Sequence, residues 1–101
     1  MIQKKTWKEL ETMSFLPELK MFLSAVGRIY TVRKYKMSEA DVMVIGVGLC
    51  YRKPVGTIKI ESDLKPYVRL SGFSTTKEWW DKITYFIPDP TDTKYLYRVT
   101  R

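Results

Sequence analysis

The sequence predicts an α+β domain: a mixed, mostly antiparallel sheet curled into a small barrel, with helices packed at its ends. Three observations carry this. The apolar period changes from helical to two at Gly27. Strand-like runs outnumber the helices that could cross them over. Two of those runs are adjacent and read as a hairpin. The chain has 101 residues, 45% of them hydrophobic, which suits a single domain over 1–101 with a modest core.

Taken in order, Thr6-Trp7-Lys8-Glu9 reads as a capping box, opening a short helix from about Trp7 to Met13 with Trp7, Leu10 and Met13 inward. Ser14-Phe15-Leu16-Pro17 breaks it, because the residue before a proline avoids helical torsions. Pro17 then opens a second helix. Leu19, Phe22, Leu23 and Val26 share one face of it, and Gly27 supplies a left-handed end.

From Arg28 the chain alternates as a strand, with Tyr30 and Val32 toward the core and Thr31, Arg33 and Tyr35 on the polar side. After a polar connection over 37–41, the run Val42–Cys50 is nearly all apolar and β-branched, so it reads as a strand whose two glycines mark a bulge or bend. Tyr51-Arg52-Lys53-Pro54 reads as the hairpin turn. Val55–Glu61 returns as a strand with Ile58 and Ile60 inward. Gly46-x-Gly48 precedes no helix and is not a dinucleotide loop.

A long connection, Ser62–Ser74, leads to a second capping box, Thr75-Thr76-Lys77-Glu78, and a helix to about Phe86. Trp79, Ile83 and Phe86 make its apolar line, with Trp80 and Ile87 widening it. Adjacent residues on a helix face different ways, so Trp79 and Trp80 read as one core ring and one edge ring. Asp89 and Asp92 read as turn formers. Lys94–Arg101 closes the chain as a strand.

Composition narrows the function. There is no histidine and a single cysteine, Cys50. Ser-His-Asp and Cys-His triads, His-based zinc sites and His-dependent ribonuclease chemistry are therefore excluded. Cys50 ends an apolar run and reads as a small buried hydrophobe. One unpaired cysteine suits a reducing, cytoplasmic setting. No secretory pattern follows the basic start, and no apolar run is long enough for a membrane span. Neither a metal nor a cofactor is expected.

Net charge is +7 and uneven: 8 Lys and Arg against 3 Glu over residues 1–36, and 10 against 8 over the rest. That concentration points to a polyanion such as nucleic acid. Arg28, Arg33 and Lys34 are the candidate phosphate contacts, with Tyr30 or Tyr35 as stacking faces.

Further features resemble the ASCH family, of the PUA-like β-barrel fold, over roughly Leu16 to Thr100. They are a helix ending in glycine, Thr31-x-Arg33 on a strand, Asp41-Val42 opening the next, and Gly56-Thr57-Ile58. Ser71-Gly72-Phe73 before a capped helix, a proline after it, and a final Tyr95-x-Tyr97-x-Val99 complete the set. The resemblance implies an RNA- or nucleotide-binding module with a basic cleft beside the first strand. It implies that Lys65, Tyr67, Arg69 and Ser71 lie at or near the rim. Thr31 and Arg33 match the end of the family's Gly-Lys-Lys-Thr-x-Thr-x-Arg pattern, with Gly27 one residue closer than usual.

Some family members hydrolyse RNA or acetylcytidine. The latter use a threonine, a lysine three residues earlier and an acid before the Gly-Phe position. The corresponding residues here are Thr31, Arg28 and Ser71. Arginine stays protonated and serine is no carboxylate, so the resemblance favours anion binding. The alternative is a hydrolase with Thr31 at its site and another base such as Glu61.

Overall fold

A computed structural model describes residues 10–101. Its strands are β1 (Glu11–Met13), β2 (Arg28–Arg33), β3 (Ala40–Val44), β4 (Gly48–Ile58) and β5 (Lys94–Thr100). Its helices are α1 (Pro17–Val26) and α2 (Thr76–Phe86), with 3-10 turns at Glu61–Leu64 and Val68–Leu70. The strands form one five-stranded sheet in the order β1-β3-β4-β5-β2. β1 lies parallel to β3, and the other pairs are antiparallel. No pairing among the described residues joins the edge strands β1 and β2, so the α+β class holds and the sheet is open.

The helix expected over Trp7–Met13 is corrected in its described part. The Thr6–Glu9 box lies outside the described residues. Glu11–Met13 pairs with Val42–Val44 as a strand, and Met13 is buried. A segment this short has little helical stability of its own, and a neighbouring strand edge decides its state.

α1 forms as its signals require. Pro17 opens it, and Gly27, at φ 88°, ends it with its N–H donating to the Leu23 carbonyl. Leu23 is fully buried, worth about 2 kcal/mol, whereas Val26 on the same expected stripe is exposed.

The hairpin turn is also corrected. Ile45–Val47 make the turn, with Gly46 at φ 85° and Gly48 at φ 118°, conformations that disfavour any side chain. Tyr51–Pro54 instead lies inside β4. β3 ends its pairing at Ala40 opposite Arg52, so beyond that point one side of β4 is unpaired and accepts Pro54. A register shift between Pro54 and Gly56 inserts Val55 as a bulge. Before it, Cys50 and Arg52 face one side of the sheet. After it, Ile58 faces the other. Ile60, expected inward, lies past the strand end and is exposed.

Two cores result, one on each face. Met13, Phe15, Leu23, Ile29, Val42, Val44, Cys50 and Val99 pack with α1 on the first. Ile58, Leu64, Trp79, Ile83, Ile87 and Leu96 pack with α2 on the second. With a core on each face, the expected division of the strand after Gly27 into a core side and a polar side is corrected. Ile29 and Thr31 are buried on the first face, while Tyr30 and Val32 are half-buried on the second. The strand also stops at Arg33, before Lys34-Tyr35-Lys36.

α2 is capped by Thr75 Oγ1, which accepts from Glu78 N at 3.1 Å. The return bond reaches Glu78 Oε2 from Ser74 N, one residue earlier than a capping box requires. Trp79 is core and Trp80 edge, as read. Phe86, expected inward, is 59% exposed, and Ile87 takes the buried position instead. Asp89 turns the chain as expected, accepting from Thr91 N and Oγ1 at 2.9 and 2.7 Å.

Candidate functional site

β2 is an edge strand, and α1 and α2 stand on opposite faces of the sheet beside it. Between them opens a cleft of about 410 Å3, lined from three directions. The turn into α1 gives Ser14–Pro17 and Leu19. The end of β2 gives Thr31 to Lys34. The α2 side gives Phe73, Trp79, Lys82, Ile83, Phe86 and Ile87. Its volume is in the range that accepts a small organic ligand. Its polar groups are few: Thr31, Arg33 and Lys34 at the end of β2, Ser14 before α1 and Lys82 on α2.

Arg33 is the central one. Its guanidinium lies 4.7 Å over the Phe15 ring. Nη2 donates to the Ser14 carbonyl at 2.8 Å and Nε to Thr31 Oγ1 at 3.2 Å. Both acceptors are neutral, and the fork keeps further donors. Burial first, and then the like charge of Arg52, hold the Arg33 pKa below its ordinary value. The charged form is thus less favoured than in water, and an anion arriving in the cleft would offset that.

Thr31 is 8% exposed and occupies the floor. Its hydroxyl accepts from Arg33 rather than facing a base. No carboxylate lines the cleft among the described residues. Glu61 is engaged elsewhere, accepting from Thr76 Oγ1 at 3.2 Å. Lys34 stands at the rim and pairs with Asp92 at 3.4 Å, both partly exposed. Such a surface pair is weak and readily exchanged for another anion. Lys82 stands on the α2 side and carries no ion pair among the described residues.

Of the residues singled out in the sequence, the structure brings Thr31, Arg33 and Lys34 together. Arg28 is exposed at the opposite end of β2, about 16 Å away at strand rise. Ser71 is buried and closes a turn, with Oγ donating to the Val68 carbonyl at 2.7 Å and accepting from Phe73 N at 3.0 Å. Tyr67 packs its ring 5.0 Å from that of Tyr30. Lys65 and Arg69 are exposed beside it and do not line the cleft.

Sequence reasoning missed Phe15, Lys82 and Phe86 as cleft residues. It also missed Arg52, read as a turn residue and in fact fully buried. Arg52 grips both carboxylate oxygens of Glu11, at 2.6 and 3.1 Å, and the Ser38 carbonyl at 3.0 Å. Nearby, the Tyr97 hydroxyl accepts from Met37 N at 2.6 Å and donates to the Tyr35 carbonyl at 3.0 Å. These bonds hold the 34–39 segment down on the sheet.

Among the described residues no cluster suited to a metal ion occurs, and no helix is long and apolar enough to cross a membrane. No protein-family model, curated protein or solved structure matches the chain.

Proposed function

We propose that the cleft binds a nucleotide, as a base of RNA, with the heterocycle between its aromatic walls and a phosphate at Arg33. The observation that carries the reading is Arg33 itself: a half-buried guanidinium whose hydrogen-bond partners among the described residues are neutral, beside an aromatic-lined cleft. Phe86 supplies an exposed ring at the mouth. Base stacking on such rings is sequence-tolerant, and arginine matches phosphate geometry. Lys34 and Lys82 add charge at the rim.

The resemblance to ASCH domains supports the same reading. In that reading the open sheet is a PUA-like barrel in which β1 and β2 are not bonded to each other, and the chain works in the cytoplasm. Binding is favoured over hydrolysis because Thr31 has Arg33 as its partner and, among the described residues, no carboxylate lines the cleft beside it.

The test is titration of the protein with nucleoside monophosphates and single-stranded RNA at low salt. Tryptophan emission gives the readout, since Trp79 lines the cleft. Saturable binding that weakens steeply with salt, and that Arg33→Met reduces about tenfold or more, is the expected result. Absence of any saturable change with both ligand types would refute the proposal.

A further inference from the structure

The second face of the sheet is only partly covered. α2 and the 3-10 turns pack over its Ile58–Leu96 end. Beyond the Val55 bulge two cross-strand rows continue, and among the described residues their cover is at the β2 end, where Tyr67 packs on Tyr30. In one, Tyr51 of β4 lies opposite Thr100 of β5, which lies opposite Arg28 of β2. In the next, Lys53 lies opposite Arg98, which lies opposite Tyr30. All six side chains point to this face. Arg28, Tyr51 and Lys53 are exposed, and the other three are half-buried.

Three cations in these rows, Arg28, Lys53 and Arg98, stand against two nearby acids, Glu39 and Asp41. Lys53 and Arg98 face each other directly on neighbouring strands, where like charges destabilise a sheet. None of Arg28, Lys53 and Arg98 pairs with a carboxylate among the described residues. Of the nearby acids, Glu39 accepts from the Tyr51 hydroxyl, and Asp41 sits at the far end of the first row, beyond Tyr51.

We infer that this half-face is a second binding surface, one that holds backbone phosphates of the single-stranded nucleic acid whose base enters the cleft. The inference rests on the cleft reading for the identity of the ligand. Arg28, Arg98 and Lys53 contact phosphates, and Tyr51 offers an exposed ring to a further base. Arg28 and Arg33 end the same strand about 16 Å apart. One ligand touching both must therefore be an oligonucleotide, and a mononucleotide reaches only the cleft.

The experiment compares a labelled uridine octamer, by fluorescence anisotropy, with uridine monophosphate, by tryptophan emission. The variants are Lys53→Ala with Arg98→Ala, Arg33→Met, and Lys53→Glu. The double variant should lose about tenfold or more in octamer affinity and flatten the salt dependence by about 1.4 in log–log slope. Its monophosphate affinity should not change. Lys53→Glu places an acid opposite Arg98, so it should raise the urea midpoint while weakening the octamer. A residue with only a structural role would move both the same way.

If the double variant leaves octamer affinity and slope unchanged while Arg33→Met weakens both ligands, the surface is refuted and the cleft stands. If Arg33→Met changes nothing and the double variant weakens the octamer, the surface stands and the cleft fails. Failure of the octamer to bind overturns the surface, and the cleft as well if the monophosphate also fails to bind. Binding to phosphatidylserine vesicles through Lys53 and Arg98 in place of the octamer overturns the surface alone.

Discussion

Arg52 and Arg33 project from the same face of one sheet, on neighbouring parts of the first core, and their surroundings differ in one respect. Arg52 is 0% exposed and is completed by the chain itself, with a bidentate carboxylate from Glu11 and a carbonyl from Ser38. Arg33 is bonded to a hydroxyl and a carbonyl, lies on a phenyl ring, and feels the like charge of Arg52. One end of this face is therefore closed and the other is open. A buried cation paired within the fold fixes architecture. One left with neutral partners beside a cleft has capacity for an outside anion.

The same substitution at both positions gives the sharpest test. Arg52→Met should lower unfolding stability by about 3 kcal/mol in urea titrations. It removes the clamp on the 34–39 segment and the ion pair that a fully buried guanidinium makes with Glu11. Arg33→Met should stay within about 0.5 kcal/mol of the parent, since it keeps the packing on Phe15 and removes a desolvated charge. Equal losses at the two sites would break the distinction.

Phe86→Ala sharpens the open end. It should cost about 1–3 kcal/mol of base binding through lost stacking, with little change in the urea midpoint, because the ring is exposed in the free protein. The smallest effect belongs to acid. Hydrogen bonds from the Lys59 and Ile60 amides lower the Asp63 pKa, and bonds from Thr91 lower that of Asp89, from an ordinary 3.8. A carboxylate with a depressed folded pKa contributes stability above its unfolded pKa and loses it as pH falls through the folded value. Thermal unfolding should show a modest decline below about pH 4. Asp63→Asn and Asp89→Asn should each reduce that decline. An unaltered acid limb would mean that these turns do not contribute.

The parts legible in the sequence were those with local causes. Pro17, Gly27 and the spacing between them suffice for α1, and Thr75 suffices for the start of α2. The hairpin was misread because a glycine with positive φ serves a turn or a bulge equally well, and a charged residue ordinarily marks solvent. Arg52 breaks that rule only because Glu11, 41 positions away, comes to meet it. Helical spacing put Phe86 in line with Trp79 and Ile83, yet periodicity cannot distinguish the wall of a cleft from a core. Arg33 stands out by the charge of its stretch, and Thr31 with it through a resemblance to the ASCH pattern. Lys82 carried no signal of its own, being one lysine on the polar side of an amphipathic helix.

The bulge at Val55 has a consequence for how this chain can vary. Because one extra residue moves the following side chains to the opposite face, Arg52 and Ile58, an even number of positions apart, serve different sides of the sheet. Val55 is 40% exposed, so many substitutions there should be silent. Loss of its codon would let the strand run as a regular ladder, with Gly56 still opposite Leu96 and Ile58 still facing α2 opposite Lys94, whereas a second added residue would disturb the pairing with β5. At this point inheritance leaves the letter nearly free and bears a residue lost more readily than a residue gained.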